Sequence, residues 1–401
     1  MRDRFTQTTH PYPSSPAADR GWRRGGVVSE WHHWFPASSH VTGNGRGLVT
    51  VVAFLSLVGL WMIYSASFVV AEKKYDDAFF FLKRQSIHLG VALVLFAAAA
   101  HVSLDRLREK TAHIAVAVLV LLIAVLLLGD RVNGASRWLR LGPIRAQPSE
   151  VAKLFTIFYL AHYIAKWPDR LNRLAGLFPP IFVIGVGMGL IVIEPDLGAA
   201  IMLALLTGLL LFLGGAKIRH MACFALPCAL LVVAAVVVAP YRMKRLMAYR
   251  DPWADPLDSG HHIIQSLTAL GSGGAFGAGI GEGKQKLFFL PETHTDFIFS
   301  MIGEEIGLIG TLAMILLFVT ILFLGLRIVR NQIDPFRRLL ALGATLMIVL
   351  SAMIHMGVAT ALLPTKGLAL PFISYGGSSL AVNWVAVGLL FNIAQRDDSS
   401  W

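Results

Sequence analysis

The sequence predicts an all-α polytopic membrane protein: about ten transmembrane helices, N- and C-termini in the cytoplasm, and one large extracytoplasmic loop between helices 7 and 8. Three observations carry this expectation. Of the 401 residues, 56% are hydrophobic and 15% are charged, against about 25% charged in an ordinary soluble domain. The mean hydropathy is +0.65. The apolar residues also fall into uninterrupted runs, several of which reach the roughly 20 residues that cross a bilayer. The formal charge of +11 is scattered between these runs. There is no basic stripe interleaved with aromatics, so a nucleic-acid-binding class is excluded.

Residues 1–46 are polar and rich in Pro, Ser, Gly, His and Arg. No long apolar stretch follows the first residues, so this reads as a disordered cytoplasmic tail and not a signal peptide. Trp22, Trp31, Trp34 and Phe35 suit a membrane interface. The membrane domain covers 47–396, with apolar runs near 48–71, 86–104, 112–129, 149–166, 174–194, 197–214, 220–240, 297–326, 339–362 and 376–395. A short cytoplasmic tail, 397–401, follows. Glu194-Pro195-Asp196 separates two of the runs, and a carboxylate pair around a proline suits a tight interfacial turn. Cys223 and Cys228 lie five apart in one run. They cannot close a strain-free disulfide within a helix and read as small buried apolar residues.

With the N-terminus inside, more Lys and Arg fall in cytoplasmic connections than outside, as the positive-inside rule requires. The exceptions are informative. Arg131, Arg137, Arg140, Arg145 and Lys153 occupy one outer loop and the run after it, and Arg242, Lys244, Arg245 and Arg250 follow the seventh run. An anionic ligand on the outer face, such as a lipid phosphate, is one reason to keep them; ordinary anionic headgroups are the other. The 241–296 loop contains GSGGAFGAGIGEGK. Neither nucleotide-binding glycine motif fits, because Gln285 follows Gly283-Lys284 and position 278 is Ala. Close backbone packing is the better account.

The residues able to carry chemistry centre on KLFFLPETHTDFIFSMIGEE, 286–305. Asp296, preceded by His294-Thr295, stands where a loop enters an apolar run. Partial desolvation would raise its pKa toward that of a general base. A helix cap by Thr295 or Asp296 is the simpler reading. Glu304 and Glu305 lie about two turns deeper and are too costly there to be idle; an ion pair between one of them and Lys153 is expected. Glu150 and Lys153, three apart, share a helix face behind Arg145, with structural pairing as the default and pyrophosphate binding as the sharper reading. The stretch PTKGLALPFISYGGSS, 364–379, breaks the apolar pattern and reads as a re-entrant loop lining a cavity. It offers Lys366, Ser374, Tyr375, Ser378 and Ser379, with Gly376-Gly377 for close approach. His261 and His262 read as loop residues. Glu292 and His294 are further candidates beside Asp296, and outer carboxylates leave room for a divalent cation.

Together these stretches resemble the SEDS family (shape, elongation, division and sporulation). The resemblance rests on NGASRWLRLGPIRAQPSEVAK at 133–153, EPDLG at 194–198, DPWADPLDSGHHIIQSLTALGSGG at 251–274, KQKLFFLPETHTDFIFSMIGEEIG at 284–307 and PTKGLALPFISYGGSS at 364–379. It is strongest for the cell-division branch, and His355 departs from it, where members often carry Asn. The resemblance implies a peptidoglycan glycosyltransferase that polymerises lipid II at the outer face of the cytoplasmic (inner) membrane and releases undecaprenyl pyrophosphate. It implies Asp296 as the essential carboxylate, and it maps Arg145, Glu150 and Lys153 onto the family's fourth-helix motif. The expected substrate-binding set is Arg145, Lys153, Glu150, Arg137, Lys366 and His294. The expected cavity set is Glu194, Asp196, Glu292, Glu304, Glu305, Ser374, Gly376 and Gly377. Mg or Mn is a candidate cofactor; a class B penicillin-binding protein and other division proteins are the implied partners. A lipid II flippase and a scaffold without chemistry are the competing classes.

Overall fold

The computed structural model describes residues 41–132, 135–141, 144–285, 294–365 and 367–395. The chain opens with helices α1 (Val41–Tyr75), α2 (Phe80–His101), the short α3 (Leu104–Glu109) and α4 (Thr111–Leu128). Strands β1 (Asp130–Val132), β2 (Ala135–Leu141) and β3 (Ile144–Ala146) follow. Then come α5 (Pro148–Lys166), α6 (Leu174–Ile193), α7 (Leu197–Leu213) and α8 (Ile218–Val238). Two shorter helices, α9 (Pro240–Arg250) and α10 (His261–Gly273), precede α11 (Ile298–Arg330), α12 (Pro335–Ala359) and α13 (Gly377–Gln395).

The long helices fall on the apolar runs of the sequence, and among the described residues eight are long and apolar enough to cross a membrane. Their ends carry local signals. Pro148 opens α5 at a position that needs no N–H. Asp196 caps α7 by accepting from the Ala199 N–H, and Asp334 caps α12 by accepting from Phe336 and Arg337. Helices α5, α12 and α13 form the packed centre, against α1, α2, α7 and α11. Helix α8 has none of its most apolar window buried, and large side chains such as Leu57, Leu127, Phe182 and Leu230 are exposed around the bundle. Such a surface suits lipid as its solvent.

Four features depart from the sequence expectation. The 131–145 segment is an antiparallel three-stranded meander, with Asp130 opposite Trp138 and Leu139 opposite Ala146. His261 and His262 open α10 instead of lying in a loop, and the His262 ring stacks on Phe297 at 5.9 Å. Cys223 is exposed and Cys228 half-buried, because α8 packs weakly on the bundle. Finally, α11 is broken at Gly307, whose φ of 77° and ψ of −163° are not helical.

The glycine-rich segment fills that break. Ala278 and Gly279 donate to the carbonyls of Glu304 and Glu305, and Leu308 and Ile309 donate back to Gly274 and Ala275. These bonds satisfy backbone groups that the interrupted helix leaves open. The close backbone packing expected of the glycines is therefore present, and α11 is what they pack on.

Candidate active site

Helix direction alternates along the chain, so the polar residues of interest gather at one end of the bundle. The end of α1, the starts of α2, α5, α7, α11 and α13, and the loops between them all meet there. Asp296 is half-buried, two residues before the start of α11. The N-cap position is Phe297, directly after the Thr295-Asp296 pair.

The 367–376 loop builds the wall beside Asp296. A Cβ placed on Gly367 would stand 3.0 Å from Asp296 Oδ2, so the backbone lies close against the carboxylate and a side chain here would crowd it. Ser374 Oγ donates to the Thr295 carbonyl at 2.7 Å and accepts from the Leu370 N–H at 2.8 Å. The Tyr375 N–H donates to the His294 carbonyl at 2.9 Å. Gln85 of α2 holds the same loop from below, donating to the Ser374 carbonyl and accepting from the Gly376 N–H. Phe372 is buried at a φ of 68°. A bulky residue there is strained by about 1–3 kcal/mol, which the Ser374 and Gln85 bonds offset.

An aromatic group stands next to the carboxylate. The His294 ring lies 4.5 Å from Phe81 and 5.6 Å from Tyr375, and Phe81 meets Tyr375 edge-on at 5.3 Å. Burial pushes the Tyr375 phenol up; Arg84, hydrogen-bonded to it, and Arg145 pull it down. Arg84 and Arg145, both exposed, are thus two accessible cations around one hydroxyl. Sequence reasoning passed over Arg84. Its only signal was a cation at the outer end of the second apolar run.

In α5 the default pairing of Glu150 with Lys153 is present, while the ion pair expected between Lys153 and Glu304 or Glu305 is not. Lys153 Nζ donates to Glu150 Oε1 at 2.7 Å, and both residues are buried. Lys153 therefore does not pair with Glu304 or Glu305. The Glu304 carboxylate instead accepts from the backbone N–H groups of Lys284 and Gln285, and Glu305 accepts from Ser65 Oγ of α1. Arg137 donates to the Glu194 and Pro195 carbonyls, tying β2 to the turn; two of its five N–H donors are spent on backbone. Asp196 gathers Gln147 and Ser149 as well as capping α7. Ser378 accepts from the Gln147 N–H and donates to the Arg145 carbonyl, which locks α13 onto the start of α5. Glu194 is buried in the turn, Gly376 precedes α13, and Gly377 packs on the His88 ring. Lys366 and Glu292 lie outside the described residues. Among the described residues no three of His, Cys, Asp or Glu converge to hold a metal, so the expected Mg or Mn has no protein-built cage there and no step is assigned to it.

This fold and site define a multi-pass helical membrane protein with a half-buried carboxylate and nearby cations at one end of its bundle. The chain belongs to the FtsW/RodA/SpoVE family of cell cycle proteins, whose pattern matches residues 46–399. It is 40% identical over 359 residues to a probable peptidoglycan glycosyltransferase FtsW of Geobacter sp. (strain M18), covering 89% of this chain and 98% of that one. It is 39% identical over 351 residues to stage V sporulation protein E of Bacillus subtilis (strain 168), covering 87% and 96%. Among solved structures it resembles a chain of a peptidoglycan synthase complex that coordinates polymerization and crosslinking, with TM-score 0.73, 29% identity and coverage of 88% and 98%. It also resembles the rod shape determining protein RodA of Thermus thermophilus, with TM-score 0.65, 26% identity and coverage of 91% and 99%.

Proposed function

We propose that this protein is a peptidoglycan glycosyltransferase that polymerises lipid II at the outer face of the cytoplasmic membrane during cell division, with Asp296 as its general base. The observation that carries this is the half-buried Asp296 carboxylate against the Gly367 backbone, with Arg84 and Arg145 beside the adjoining Tyr375. The 4-hydroxyl of one lipid II attacks the anomeric carbon of the growing chain. The new C–O bond forms as the bond to the pyrophosphate breaks, inverting the carbon, and Asp296 takes the hydroxyl proton. Undecaprenyl pyrophosphate leaves with the electron pair. One base suffices, since a pyrophosphate needs little acid help to leave.

Charge placement assigns the remaining roles. Lys153 and Glu150 form a buried neutral pair and add little net field; they shape the wall behind the site. Exposed Arg145, with Arg84, is the better counter-charge for a pyrophosphate. His294 and Tyr375 supply an apolar face with polar edges for a sugar. The likeness to a chain of a peptidoglycan synthase complex supports a class B penicillin-binding protein as partner.

The test is the purified chain with that partner and lipid II. Asp296→Asn, folded as judged by its elution and thermal unfolding, is expected to lose glycan product by about 10²-fold or more. Transbilayer movement of lipid II without polymer, unchanged in Asp296→Asn, would establish the flippase instead.

A further inference from the structure

We propose that His355 is a positioning residue for Asp296: its ring N–H holds the Leu368 carbonyl and so sets the Gly367 backbone against the carboxylate. This rests on the reading of Asp296 as the base. His355 is a buried, ionisable side chain on α12, 1% exposed, to which the mechanism above gives no part. Its Nδ1 lies 2.7 Å from the Leu368 carbonyl oxygen. A carbonyl only accepts, so the proton sits on Nδ1 and Nε2 keeps a lone pair. That Nε2 is buried and has no hydrogen-bond partner among the described residues. An acceptor left unmet is costly, so a side chain serving packing alone would be better apolar at this place. The bond to Leu368 is the return.

The bond falls where the chain has little else to hold it. Leu362 and Leu363 donate to the Gly357 carbonyl, and Leu370 is held by Ser374. Between Leu363 and Leu370 no backbone–backbone hydrogen bond is made among the described residues. Leu368 is buried against the start of α7, 3.7 Å from where a Gly198 Cβ would stand. The same turn of α12 reaches the other flank of the carboxylate, where Val358 and Ile354 pack on Phe297. One helical turn thus fixes residue 297 through apolar contact and residue 368 through a hydrogen bond, with Asp296 and Gly367 between them. Loss of the bond frees the Gly367 segment and opens the carboxylate's wall. That alters the geometry of proton removal, not the capture of the lipid.

The experiment measures lipid II polymerisation by the full chain with its partner, comparing His355→Asn, His355→Leu and His355→Phe. The Asn carboxamide can donate to Leu368; Leu and Phe cannot, and their different shapes guard against a packing artefact. His355→Asn is expected to stay within about threefold of the parent, while both donorless variants fall at least about tenfold in kcat with KM within about twofold. Donorless variants as active as the parent overturn the proposal. So does an Asn variant as impaired as they are, or a loss confined to KM. Unfolding of both donorless variants beside a folded, active Asn variant would make the role structural alone and also overturn it. Asp296→Asn run alongside separates the two ideas. Its retained turnover would remove the base reading itself, whereas its inactivity beside normal Leu and Phe variants removes only the role of His355.

Discussion

Two buried carboxyl groups at this end of the bundle are handled differently, and each gives a measurable consequence. Glu194 is 1% exposed, and neither carboxyl oxygen has a hydrogen-bond partner among the described residues. Burial first, and the Asp196 charge second, push its pKa up to about 8, with Arg137 opposing. The folded state then keeps a proton that the unfolded chain loses near its ordinary value of about 4.3. The resulting stability is complete below that ordinary value and is lost as pH rises through about 8. Glu194→Gln removes the titration, so its thermal unfolding in detergent should vary less between mildly acidic and alkaline buffers than the parent's. Glu150 is handled by pairing. Lys153→Met leaves its charge buried and uncompensated, an effect of about 3–5 kcal/mol, and adding Glu150→Gln should restore most of it. Comparing thermal unfolding of the single and double variants checks this.

Among the elements, the broken α11 has the largest consequences. The φ of 77° at Gly307 lies where only glycine is comfortable, and a Cβ there would come within 2.3 Å of the Gly277 nitrogen. Gly307→Ala therefore strains the backbone and expels the inserted segment. We expect a loss of at least about 2 kcal/mol, read from thermal unfolding, together with faster amide exchange at Ala278 and Gly279, which donate across the break. The carboxylates flanking the break explain their own presence. Glu304 meets two N–H groups of the inserted chain, and Glu305 meets Ser65 of α1. Acceptors of this kind hold an irregular segment at membrane depth, where water cannot serve.

For the whole molecule, alternating helices place α9 and the Asp296 site at one end and α3 at the other. The proposed outer location of that site makes a topological prediction. With Cys223 and Cys228 replaced, a single cysteine at exposed Arg250 should react with a membrane-impermeant maleimide on intact cells. One at exposed Arg106 should react only after permeabilisation. The reverse pattern would put the site on the cytoplasmic side and remove lipid II polymerisation at the outer face.

Apolar run length alone marks where the helices lie, because a bilayer core demands roughly 20 apolar residues with their backbone bonds made internally. The interfacial turn at 194–196 and the irregular loop before α13 were equally legible, being local signals, whereas the Asp196 and Asp334 caps emerged only with the helix ends they close. Asp296 stood out as a carboxylate at the mouth of an apolar run. Its neighbours did not, since Gly367, Ser374, Gln85 and His355 lie far from it in sequence. Pairing was legible only in part. The three-residue spacing already made Glu150 the default partner of Lys153, but only the packed structure sets aside Glu304 and Glu305 as its alternatives. The same holds for the glycine-rich segment: its composition promises close approach, but only the fold supplies the broken helix that it approaches. What the sequence by itself determined was the set of helices and the residues with chemistry to offer. What the tertiary structure decided was who meets whom, because hydrogen bonds and buried charges act over a few ångströms that the chain order does not encode.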